Sequence, residues 1–250
     1  ARIFVVSDRP LREVRRALES RFGAWRGAAD TSVGRKDFSV AIPQERPRIV
    51  IVDRPQSPQS IIYAGAVLPQ RGSDDTLALN AANEVLGSSF LSRINTEIRE
   101  RRGWSYGLSG IVQLREQRVP YVINAPVQAD RTGDSIRVLL EQINGFNASN
   151  GVTEAEHVRT INGNIRQLPG AYETAGSILN ALRSNALYSR PDNYWEGVAS
   201  RYRAMSAAEM DAAARAVIDP SRFVWVVVGD AATVRPQVEA LGLPVEVVTP

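Results

Sequence analysis

The chain reads as an α+β protein, a largely antiparallel sheet covered by helices on one face. Three observations lead there. After residue 48 the patterns run strand, strand, helix, helix, strand, strand, then several helices, then a final strand, so strands and helices are segregated. The helical stretches carry a single apolar stripe, which needs one surface to cover. The 250 residues, 44% of them AVILMFWYC and 23% charged, are ample for a core.

In order, Ile3–Val6 is an apolar run expected as a buried strand. Arg12–Phe22 is an amphipathic helix with Leu11, Val14, Leu18 and Phe22 on one face, ended by Gly23. Residues 28–47 are rich in Gly, Ala, Ser, Thr and Pro and read as a linker. Arg48–Asp53 and Gln59–Leu68 are strands, with Pro55 and Pro58 in the turn between them. Asp74, Asp75 and Thr76 offer N-caps for a helix to Leu86, stopped by Gly87. Tyr121–Gln128 is a strand after a turn at Val119–Pro120, paired with a long strand from Trp104. Thr132–Phe146 is a helix. Thr153 opens another, with Glu156 completing a capping box, and Pro169-Gly170 breaks it. Tyr172–Leu187 and Asn193–Tyr202 are helices, and Ser206 with Glu209 caps one running to Ile218. Arg222–Val228 is a strand, Ala231–Leu241 a helix and Val245–Val248 a last strand.

Val5-Val6-Ser7-Asp8 echoes Val227-Val228-Gly229-Asp230, each a strand end leading into a helix. With an opening at Ala1 inside an apolar pattern, the echo suggests a piece of a longer tandem. Residues 1–27 are then the last strand and helix of a preceding homologous domain, 28–47 a linker, and 48–250 a complete domain.

The stretch Ser88–Gly110 organises the rest. Phe90, Leu91, Ile94 and Ile98 have a helical spacing that lines one face, while Ser92, Arg93, Asn95, Glu97, Arg99 and Arg101 fall off it. Gly103 follows a basic last turn, as at many helix ends. Trp104–Val112 alternates and reads as a strand. Arg99 at the end of the helix and Tyr106 on the strand then meet at one corner, where a guanidinium and a phenol can both donate to a carbonyl.

Leu86-Gly87, Ser92-Arg93-Ile94-Asn95, Ile98-Arg99-Glu100 and Gly103-Trp104-Ser105-Tyr106-Gly107 resemble the non-catalytic, C-terminal half of the pitrilysin/insulinase family of zinc metallopeptidases. The resemblance extends from about Ile49 to about Asp230. It implies the LuxS/pitrilysin-like half-fold, and an Arg and a Tyr seven residues apart that bind substrate backbone beside a zinc site in the other half. Arg99 and Tyr106 have that spacing. The implied partners are a zinc-bearing N-terminal half or partner subunit and a peptide substrate. A periplasmic location follows from the same resemblance. The other reading is a catalytically inactive structural subunit of the same fold, in which Arg99 and Tyr106 are packing residues.

The residues themselves exclude much. The inverted zinc motif H-x-x-E-H needs two histidines, and His157 is the one histidine here, expected as an exposed helical side chain. No catalytic or metal-ligating residue is therefore assigned, no cofactor is expected on this chain alone, and the zinc falls to the other half. With no cysteine there is neither a disulfide nor a thiolate site. No G-x-S-x-G elbow, P-loop or dinucleotide fingerprint is present. Arg99, Arg101 and Arg102 beside Trp104 could suggest nucleic acid, but Glu97 and Glu100 are interleaved and the net charge is only +3. A helix end whose cations complement the dipole explains the cluster. No apolar run is long enough to span a membrane. An orphaned strand at Ile3–Val6 would seek another sheet edge, which makes a homodimer an expected alternative.

Overall fold

The computed structural model describes residues 2–26, 36–43 and 45–249. Part of the 28–47 linker therefore lies outside the described residues. A six-stranded sheet has the order β3-β4-β2-β5-β1-β6. The strands are β1 (Arg48–Asp53), β2 (Gln59–Leu68), β3 (Ser109–Val112), β4 (Val119–Gln128), β5 (Val224–Gly229) and β6 (Val245–Val248). The β2–β4, β2–β5 and β3–β4 ladders are antiparallel, while β1 pairs in parallel with both β5 and β6. The late strand β5 enters between β1 and β2, which are neighbours in sequence but not in the sheet.

Helices α2 (Leu77–Asn83), α4 (Thr132–Asn147), α8 (Ala207–Arg215) and α9 (Ala231–Glu239) contribute the core residues Leu79, Ile136, Leu139, Met210 and Val234. These join Ile49, Ile62, Ile123, Trp225 and Val227 in one core cluster. Alternation along β2 sends Ser60, Ile62 and Ala64 inward and leaves Ile61 and Tyr63 exposed. A groove of about 770 Å³ on the strands includes Tyr63, Val67, Val122, Val224 and Val226 in its lining. Inside the sheet, Gly65 is required, because a Cβ there would stand 1.9 Å from the Tyr121 carbonyl oxygen.

Both predicted capping boxes, Thr153–Glu156 on α5 (Glu154–Gln167) and Ser206–Glu209 on α8, are formed. A third, Thr174–Ser177, opens α6 (Ala175–Leu187) later than expected, and Tyr172 lies in a separate 3₁₀ turn. The expected Asn193–Tyr202 helix is a 3₁₀ turn at Tyr194–Gly197 followed by α7 (Val198–Ala204).

Several expectations are corrected. Ile3–Val6 forms no strand, and Ile3 and Val5 are 50% and 42% exposed. The sheet offers this segment no ladder; Arg2 and Phe4 instead line a groove together with Asn180, Arg183 and Leu187 of α6. Helix α1 (Leu11–Phe22) forms, with none of its residues buried. The helix from Leu77 runs through Gly87 rather than stopping there, widening into a π-helical segment at Glu84–Ser88. Gly87 is buried because it meets Gly110 closely; a Cβ on it would lie 3.2 Å from the Gly110 Cα. Val119 and Pro120 belong to β4 and not to a turn.

Candidate functional site

The Arg99 corner is built by two π-helical segments and two loops packed against β3 and β4. The first π segment is locked to β3 by Asn83, whose Nδ2 donates to the Gly110 carbonyl at 2.8 Å. Its Glu84 carboxyl is raised above the ordinary value by burial, opposed by a hydrogen bond from Asn164. The chain then turns through Ser89–Ser92 into α3 (Arg93–Asn95), which widens into the second π segment, Thr96–Arg101. π segments of this kind often occur at functional sites.

Phe90 and Leu91 therefore do not line the helix face. They precede α3 and are exposed, while Ile94 and Ile98 are buried as expected. The helix begins at Arg93, one turn later than the apolar spacing predicts, because the serine-rich turn before it interrupts the period.

Arg93 anchors the unit. Its Nε donates to Glu156 Oε1 at 2.8 Å and its Nη2 to Glu156 Oε2 at 2.6 Å, with further bonds to the Asn150 and Gly151 carbonyls. Its guanidinium also lies 5.1 Å from the centre of the Phe146 ring.

Gly103 ends the second π segment with φ +66°. The Gly103 and Trp104 N–H groups return to the Arg99 and Ile98 carbonyls, each at 3.1 Å. The predicted strand from Trp104 starts only at Ser109, so Tyr106 sits on a loop, not a strand. The reason is competition. Gln128 N–H bonds the Trp104 carbonyl, and Ser105 Oγ donates to the Pro126 carbonyl at 2.5 Å, so the loop is tied to the end of β4 before a ladder can form. Arg102 and Arg131 flank the Trp104 ring at 4.9 and 5.9 Å.

The structure brings Arg99 and Tyr106 together. The guanidinium carbon of Arg99 lies 4.1 Å from the centre of the Phe90 ring and 5.9 Å from that of Tyr106. The Arg99 side chain is about a quarter exposed and pairs through Nη1 with Glu100, whereas Tyr106 is 93% exposed. The Phe90 ring thus stacks on the cation and the Tyr106 ring lies at the edge of cation–π range, so the guanidinium can donate from its planar edge while the phenol stands in solvent. Such an arrangement can bind a carbonyl or carboxylate oxygen. Phe90 belongs to this corner, and sequence reasoning missed it by assigning it to the core. Asn95 was also missed; a polar residue between Ile94 and Ile98 was the available signal.

The basic cluster is internally matched. Glu97 takes Arg101 at 2.8 Å and Arg102 at 3.0 Å. His157 is half-buried rather than exposed, and its Nε2–H donates to the Met205 carbonyl at 2.8 Å. Among the described residues, no three His, Cys, Asp or Glu side chains gather as metal ligands. With one histidine in its sequence, this chain cannot supply the two imidazoles of an H-x-x-E-H zinc site. Among the described residues, no helix is long and apolar enough to cross a membrane.

Residues 1–164 match the family model described as the peptidase M16 inactive domain. An uncharacterized zinc protease of Mycobacterium tuberculosis is 30% identical over 110 residues, 44% of this chain and 25% of the relative. The chain thus matches about a quarter of the length of that curated relative. The crystal structure of a peptidase M16 inactive domain from Pseudomonas fluorescens superposes with a TM-score of 0.67 at 22% identity, covering 74% of this chain and 44% of that one. A protease from Helicobacter pylori gives a TM-score of 0.74 at 12% identity, over 89% of this chain and 53% of that one. These two likenesses show the shared fold, and the family match agrees with the resemblance carried by the Arg99–Tyr106 stretch. This chain belongs to the peptidase M16 inactive-domain family.

Proposed function

We propose that this chain is the substrate-binding half of a zinc endopeptidase, closing a cleavage chamber whose metal is carried by a separate N-terminal half or partner subunit. Arg99 and Tyr106 donate hydrogen bonds to a substrate backbone carbonyl near the scissile bond, fixing its orientation and stabilising charge that develops there. The zinc of the other half would supply activated water. What this chain adds is binding and placement. The peptidase M16 relatives suggest this division of labour, and the family resemblance suggests a periplasmic setting.

One observation carries the reading. Arg99 is stacked on Phe90 at a corner tied to β4, and the Tyr106 ring beside it is almost wholly exposed. A solvent-facing tyrosine beside a stacked arginine is poised for an incoming oxygen.

Cleavage of a peptide by the full-length protein with its zinc-bearing half tests this. Tyr106→Phe and Arg99→Gln are each expected to lower kcat/KM, by on the order of 10²-fold if the lost donor faces the developing oxyanion. Zinc content and melting temperature are expected to stay unchanged. Unaltered cleavage by both variants would refute the role and leave the structural-subunit reading.

A further inference from the structure

Asn95 is 2% exposed and lies one turn ahead of Arg99. Both ends of its amide are used. Nδ2 donates to the Phe90 carbonyl at 2.6 Å, and Oδ1 accepts from the Leu108 N–H at 3.1 Å. The backbone partners fix the orientation of the amide, since a carbonyl can only accept and an N–H can only donate. One side chain therefore ties the loop that carries Phe90 to the loop that carries Tyr106. These are the two rings beside the Arg99 guanidinium.

Other residues would not make this link. An aspartate would set a carboxylate oxygen against the Phe90 carbonyl oxygen. A leucine of similar size would leave a donor on one loop and an acceptor on the other without their side-chain partner. The remaining ties of the second loop run elsewhere, from Ser105 to Pro126 and from Gln128 to Trp104. Those bonds hold Tyr106 relative to β4 but set nothing about Phe90.

We infer that Asn95 is the positioning residue of the Arg99–Tyr106 site, setting the gap between the Phe90 and Tyr106 rings so that Arg99 is held with its edge free for a substrate oxygen. The inference rests on the proposed substrate-binding role of that pair. Phe90 shields one face of the guanidinium from water, and Asn95 keeps Phe90 there. Neither touches the reacting atoms, and both act through Arg99.

A double-mutant cycle in the full-length protein with its zinc-bearing half separates this role from a merely structural one. Asn95→Leu and Phe90→Ala are made alone and in the Arg99→Gln background, and kcat/KM is measured on one peptide. Asn95→Leu is expected to lower kcat/KM about tenfold alone and less than about twofold once Arg99 is gone. Phe90→Ala removes an exposed ring and no buried hydrogen bond, so it keeps the test open if Asn95→Leu folds poorly; it is expected to show the same dependence on Arg99. Equal losses in both backgrounds, or no loss from Phe90→Ala, would overturn the positioning role while leaving Arg99 as a binding residue. An Arg99→Gln variant with full activity would remove Arg99 from the substrate-binding reading and overturn this inference, and full activity of Tyr106→Phe as well would overturn that reading whole.

Discussion

Glu156→Gln tests the bond that mounts the site on the rest of the domain. Glu156 closes the capping box of α5 and takes the Arg93 fork, with the two side chains 17% and 12% exposed. Burial alone would raise the Glu156 carboxyl. The Arg93 hydrogen bonds, then those from the Thr153 backbone and hydroxyl, outweigh it and bring the carboxyl from 4.5 down to about 2. At about 1.4 kcal/mol per pKa unit the linked stability is at most about 3 kcal/mol, and solvent access to the pair reduces it to about 2 kcal/mol. The folded-state value is depressed, so this stability is fully present above pH 4.5 and is lost as pH falls toward 2. Urea unfolding of wild type and Glu156→Gln is expected to differ by about 2 kcal/mol at pH 7, with the gap narrowing below pH 4.5 and closing near pH 2. Arg93 stays partly satisfied in the variant by the Asn150 and Gly151 carbonyls, so the fold survives. A gap that is the same at every pH, or absent at pH 7, would refute the reasoning.

Other outcomes follow from contacts near the same corner. Gly110→Ala places a Cβ 2.4 Å from the Tyr121 hydroxyl oxygen and is expected to cost about 1–3 kcal/mol in urea unfolding. Tyr121→Phe removes a fully buried hydroxyl that has no partner among the described residues, so it should be neutral or stabilising, and it should rescue part of the Gly110→Ala loss. Gly103→Ala forces a side chain onto φ +66° and should cost about 1 kcal/mol, read as a lower melting temperature. Tyr106→Phe should leave the melting temperature within a degree or so of wild type, on the order of the change expected for an exposed side chain, while lowering cleavage as described above.

Much of the site was legible because its signals are local. The seven-residue spacing from Arg99 to Tyr106 and the stop at Gly103 lie within one short stretch, and the structure brings the two side chains together. The strands Arg48–Asp53, Gln59–Leu68 and Val245–Val248, and both predicted capping boxes, likewise follow from alternation and spacing within a few residues. The failures have a different character. Glycine often ends helices, which predicts a stop at Gly87, but here the residue is needed for close approach to Gly110 on a strand 23 residues on. Trp104–Leu108 carries strand-forming residues, yet hydrogen bonds from Ser105 and Gln128 hold it as a loop against β4. The spacing predicts Phe90 in the core, whereas it is exposed and covers the Arg99 guanidinium.

The sequence by itself determined the family, the segregation of strands from helices, the pairing of Arg99 with Tyr106 and the lack of an H-x-x-E-H motif, because each is written in residue types and short spacings. Tertiary structure alone decided that β5 enters between β1 and β2 with parallel partners on one side of the sheet, that two helices widen into π segments, and that Asn95 ties the two aromatic loops. Those features depend on which distant backbone groups are left to be satisfied once the core has closed. That is settled by packing across the whole domain and not by any local pattern.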